Sequence, residues 1–200
     1  MRRLFVTLAV AGLVLAVAPQ ALAAPITVDP ATLLPPPPGS FDPRCVAQGG
    51  GTICTGTEVA TFVDLDLSDG GFACDGHAII DDGQQIRDGR FAYDAQGRAT
   101  DWFTRGTFRE VWTLDGVPGA PQLTTHGQWS VKNDFRIPGD ITSRTRAYRG
   151  EQLAVYGPNG LVAHNPGIVV WDWDESNILK LHGGQTGDEF MDAVCAAFGL

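Results

Sequence analysis

From Thr57 to His182 apolar side chains recur at every second position, and turn residues interrupt them at short intervals. A period of two is the signature of half-buried β-strands, so the body of the chain is expected to be all-β. In "TDWFTRGTFREVWTLD" the even positions read Trp102, Thr104, Gly106, Phe108, Glu110 and Trp112, which marks that face as inward. In "THGQWSVKNDF" the odd positions Trp129, Val131 and Phe135 oppose His126, Gln128, Lys132 and Asp134. "TEVATFVDLDL" is expected to turn Val59, Val63, Leu65 and Leu67 to the core and Glu58, Asp64 and Asp66 to water. "VVWDWDESN" is expected to bury Val169, Trp171 and Trp173 and to leave Asp172 and Asp174 on a wet face.

Turn signals stand at "SDGG" 68–71, "DDG" 81–83, "AQG" 95–97, "GVPGAP" 116–121, "IPGD" 137–140, "GPNG" 157–160 and "HNPG" 164–167. Long strands joined in sequence by short turns predict an antiparallel meander, and in a chain of 200 residues they close more naturally into a barrel than a sandwich. The expected fold is therefore a single antiparallel meander β-barrel of about eight strands with one C-terminal helix. That helix, 187–198, is announced by the Thr186 and Glu189 capping box and by the stripe Phe190, Val194 and Ala197 or Phe198.

Ahead of the body, residues 1–23 combine Arg2 and Arg3, an apolar run from Leu4 to Ala18, and Ala21 and Ala23 in small-x-small spacing. This is the pattern of a cleaved secretory signal peptide, and the apolar run is too short for a membrane span. The expected location is extracellular, with no membrane insertion after cleavage. Residues 24–44 include the run Pro35 to Pro38, which excludes helix and central strand, so an extended tether or strap is expected, with the folded domain beginning near Cys45.

Cleavage after Ala23 would remove two of the 14 basic residues and none of the 23 acidic ones, taking the formal charge from −9 to −11. Such a balance disfavours nucleic acid and anionic membrane surfaces as partners, since both are held chiefly by Lys and Arg. The four cysteines, Cys45, Cys54, Cys74 and Cys195, allow three pairings. The glycines of "CVAQGGGTIC" favour Cys45 with Cys54, leaving Cys74 with Cys195 to tie the helix to the sheet. No paired CxxC spacing supports zinc, and no cofactor motif is present. "DLDLSDGG" has acids at Asp64, Asp66 and Asp69 but places Asp69 where a calcium loop needs glycine.

The residues of greatest chemical interest are Trp102, Phe108, Glu110 and Trp112, expected to line the interior around a small apolar or aromatic ligand, with Glu110 as the polar contact. A carboxylate in that setting costs free energy unless it is paired, and its pKa should rise. It can anchor a ligand, serve as the acid or base of an isomerase or hydrolase, or form an internal ion pair with Arg144 or Arg146, which share a strand face with Tyr148. His77 shares a face with Asp75 and Ile79, while the other histidines are isolated. No GxSxG elbow marks a serine nucleophile.

The order "GTICTG", "FACDG", a long aromatic central strand, "PG" turns and a closing "DAVCAAFG" resembles small exported bacterial β-barrel proteins of unassigned activity. The architecture is also similar to calycin-like and allene-oxide-cyclase-like barrels. That resemblance implies a barrel around an apolar ligand. It transfers no site residues, because the lipocalin Gly-x-Trp opening is missing.

Overall fold

The computed structural model describes residues 24–174, 177–182 and 187–200. The expected signal peptide, 1–23, and the capping residue Thr186 lie outside them. Among the described residues ten strands form one antiparallel sheet in the order β1-β2-β3-β5-β6-β7-β8-β9-β10, with β4 paired to β5 at one side. They are β1 (Thr27–Val28), β2 (Arg44–Gln48), β3 (Gly51–Asp66), β4 (Ala73–Cys74), β5 (His77–Tyr93), β6 (Ala99–Leu114), β7 (Leu123–Phe135), β8 (Arg144–Gly157), β9 (Gly160–Trp171) and β10 (Ile178–His182), followed by the helix α1 (Gly187–Phe198). Eight of these strands have five residues or more, and two are two-residue pairings at the margins. The ladder is an open path, with no pairing that joins β10 back to β1 or β2 among the described residues.

The phase of each strand follows from its register. Cys45 lies directly opposite Cys54 and bonds to it, so β3 turns Cys54, Gly56 and Glu58 inward. This reverses the expected face of "TEVATFVDLDL": Val59 and Val63 are 58% and 73% exposed. Valine favours extended backbone on either face of a sheet, so its recurrence alone does not mark the core side. Two expected turns are instead inside strands. "DDG" 81–83 lies in β5, where Gly83 sits opposite Glu110 and an added Cβ would come within 2.6 Å of the Glu110 Cγ. "HNPG" 164–167 lies in β9, and among the described residues the β10 pairing begins at Ile168, so none of them needs the missing N–H of Pro166 on that side. Trp173, expected inside, is 41% exposed beyond the end of β9.

The inner face carries two apolar clusters. One gathers Cys74, Ile79, Trp112, Leu114, Leu123 and Val155 under Phe190, Val194 and Phe198 of α1. Asp188 and Glu189 stand in the first turn of α1, Gly199 follows the helix with φ +93°, and Cys74–Cys195 ties it to β4 as expected. The other cluster gathers Cys45, Cys54, Phe91, Tyr93, Ala99, Trp102 and Phe135 with Leu33 and Phe41. Those last two residues correct the expected start of the domain. The Pro-rich segment is a strap whose apolar side chains complete the core, pinned by β1 on β2 and by the Tyr93 hydroxyl donating to the Pro35 carbonyl (3.1 Å).

Candidate functional site

Each cluster is bordered on the inner face by a group of charged side chains. The first is acidic. Glu110 faces Gly83 and Thr125 across the ladder, and Thr125 Oγ1 donates to Glu110 Oε2 (3.1 Å). Asp81, only 3% exposed, lies one pleat away opposite Trp112. Burial, and then the Asp81 charge, push the Glu110 carboxyl up to about 7, against a small lowering from the Thr125 hydroxyl. Burial and the adjacent Asp82 push Asp81 up to about 6. The Trp112 indole N–H tempers that rise, although it and Asp81 Oδ1 fall short of hydrogen-bond geometry. The ion pair expected between Glu110 and Arg144 or Arg146 does not form. Register sets Arg144 opposite Phe135 and Arg146 opposite Asn133, roughly eight to ten residues further along β7 than Thr125, a distance of about 27–34 Å.

The second group is basic and borders a cavity of about 450 Å³. Its wall runs across five neighbouring strands, from Glu58 on β3 through Arg87 and Phe91, Trp102 and Thr104, and Trp129, Val131 and Asn133, to Arg144, Arg146 and Tyr148 on β8, with Pro38, Ser40 and Phe41 of the strap on one side. Five flat strands would spread over about 19 Å, so a single cavity touching both outer ones requires the sheet to curl around it. The floor is aromatic: Phe91 meets Phe41 and Trp102 edge to face at 5.3 and 5.7 Å, and Trp102 meets Phe135 at 5.1 Å. Gly106 lets the Trp129 ring lie flat on the strand, since a Cβ there would stand 2.6 Å from Trp129 Cζ2.

The charges around this floor are unequal. Glu58, the cavity's one carboxylate among its lining residues, is held by Arg87 at 3.2 Å. Arg146 Nε donates to Asn133 Oδ1 (3.1 Å), and its guanidinium lies 5.8 Å from the Tyr148 ring centre. Arg144 donates through Nη2 to the Trp173 carbonyl (2.7 Å), while its buried Nε has no acceptor. No carboxylate among the described residues lies within ion-pair distance of Arg144. Burial, together with the Arg146 charge, lowers its pKa.

Of the four expected site residues, only Trp102 borders this cavity. Phe108 and Trp112 are buried on the same face, Trp112 in the cluster under α1, and Glu110 joins Asp81. Trp102 and Trp112 share a face but are ten residues apart, about 33 Å along one strand, so they belong to different clusters. Arg87, Phe91 and Glu58 went unread as site residues. Carrying the two-residue phase back from Phe91 through "QQIRDGRF" would have turned Arg87 inward and drawn Glu58 with it.

The remaining candidates have local roles. His77 Nδ1 donates to the Asp115 carbonyl (2.9 Å) rather than meeting Asp75, which stands at φ +48° in an exposed turn. Asp172 accepts from the Asn177 backbone N–H (3.2 Å) and side-chain amide, closing the turn before β10. Asp66 accepts from the Ser68 N–H (2.8 Å), and no group of three or more potential ligands is assembled for a metal among the described residues. No helix there is long and apolar enough to cross a membrane. Compared with known proteins, the chain matches no family model, no curated protein and no solved structure.

Proposed function

We propose that this is an exported, non-enzymatic binding protein that holds one small ligand with an apolar or aromatic body inside a curled, calycin-like sheet. The observation that carries the reading is the 450 Å³ cavity floored by Phe91 and Trp102 and walled by Trp129 and Tyr148. Its volume lies in the range of small-molecule sites, and a few convergent polar groups on an aromatic wall are what such sites use for orientation. Two disulfides suit an oxidising location. Native mass spectrometry of protein purified from its own culture medium should show a co-purifying small molecule. Titration with the neutral probe N-phenyl-1-naphthylamine should raise probe fluorescence and saturate at one site. An unloaded mass, with no saturable uptake of the probe, would return the interior to a purely structural role.

A second reading, an enzyme using Glu110 as acid or base, draws on the carboxyl held near neutrality beside Asp81. It is the weaker one because neither acid borders the aromatic cavity. A Glu110 that titrates in its ordinary range would remove it.

A further inference from the structure

We infer that the ligand of this cavity carries a carboxylate, and that Arg144 is the group that reads it. The inference rests on the binding reading above and adds the chemical class of the ligand. The chain is acidic, with 23 Asp and Glu against 14 Lys and Arg, yet three arginines face this one cavity and a single glutamate opposes them. That glutamate is already engaged by Arg87, and no carboxylate among the described residues lies within ion-pair distance of Arg144 on the β8 side. Arg144 and Arg146 stand two residues apart on one strand face, each turned toward the cavity. Like charges in a partly dry site repel each other, and a bound anion offsets that repulsion at the cost of its own lost hydration.

The donors of Arg144 make the anion more specific. One terminal nitrogen is committed to the Trp173 carbonyl, which fixes the plane of the guanidinium. Its buried Nε has no acceptor among the described residues. A guanidinium that borders a cavity and has no carboxylate of the described residues within ion-pair distance favours an anion there, and the planar pair of oxygens of a carboxylate suits guanidinium donors. The aromatic floor of Phe91 and Trp102 then receives the body of the ligand, so an aryl carboxylate satisfies the apolar and the charged parts of the wall together. Glu58 makes the opposite prediction for a cation, and its engagement by Arg87 is why the anion is expected to prevail.

The test compares three probes of one shape by calorimetry on the disulfide-intact protein: 2-naphthoate, the neutral 2-naphthamide, and the cationic 2-naphthylmethylammonium. Naphthoate should bind at least tenfold more tightly than naphthamide, and the cation should bind least well. Arg144→Gln should erase the preference for naphthoate over naphthamide, and Arg144→Lys should keep part of the preference. Should either variant lose its circular dichroism signature, the salt dependence of the wild-type preference decides instead: raising salt should narrow the naphthoate to naphthamide ratio, and a ratio indifferent to salt would overturn the assignment. Equal affinity for all three probes, or a preference for the cation, would overturn the carboxylate while sparing the binding function. Failure of every probe to bind would overturn both.

Discussion

The two polar groups on the inner face are mirror images in charge. Toward α1, Asp81 and Glu110 stand together with no cation of the described residues within ion-pair distance, and their carboxyls are driven up toward neutrality. Toward the strap, Arg144 and Arg146 stand together beside a cavity, and a guanidinium does not shed its proton near neutral pH. A buried carboxyl can relieve its own burial by taking a proton, whereas an arginine needs an anion brought to it. The acid pair therefore closes on itself as structure, while Arg144 has no carboxylate of the described residues within ion-pair distance.

The two ends also differ in how they are fastened, and breaking their disulfides should separate them most sharply. Cys74–Cys195 spans 121 residues and Cys45–Cys54 spans 9. On the chain-entropy account, replacing the first pair with serine should cost about 4–5 kcal/mol and the second about 2.5–3 kcal/mol. Urea denaturation of the two double variants measures the difference. Equal losses would mean that α1 is held mainly by Phe190, Val194 and Phe198.

Next in size is Gly106→Ala. Its Cβ forces the Trp129 ring to move, which should destabilise by about 1–3 kcal/mol and weaken N-phenyl-1-naphthylamine binding in the same variant. Loss of stability with unchanged probe binding would show that Trp129 does not shape the cavity.

Glu110→Gln probes the acid end, and its sign is opposite. A carboxyl whose folded pKa is raised makes the native state bind more protons than the unfolded chain between the ordinary value and the raised one. Its contribution is then lost as pH climbs through about 4 to 7, so the protein should be more stable at pH 5 than at pH 8 on this account. The Glu110→Gln variant should be more stable than the native chain at pH 8 by about 1–2 kcal/mol, allowing for partial exposure, and nearly equal to it at pH 5. Melting temperatures at both pH values check this. Naphthoate binding, read in the same variant, should stay within twofold, because Glu110 does not border the cavity.

Periodicity was enough to read β6 and β7 correctly, because Trp102, Phe108 and Trp112 on β6, and Trp129, Val131 and Phe135 on β7, outweigh the apolar residues of the opposite face. It failed on β3, where valine alternates with residues of mixed polarity and the true phase comes from the Cys45–Cys54 pairing one strand away. The turn residues in "DDG" and "HNPG" misled for a related reason. Glycine and proline mark places where backbone must be unusual, and a strand beside a bulky neighbour or an unpaired stretch of edge answers that need as well as a turn does.

What a linear chain specifies is local: two-residue alternation, a capped amphipathic tail, cysteines near enough to close on glycines, and an acidic balance set by counting. These were sufficient for an antiparallel all-β body, a C-terminal helix and both disulfides. Which charges meet across the interior depends on register summed over five strands, and an error of one residue moves every side chain to the other face. Only folding could separate Glu110 from the arginines, bring Asp81 to it, and leave Arg144 open to a cavity that no single segment encodes.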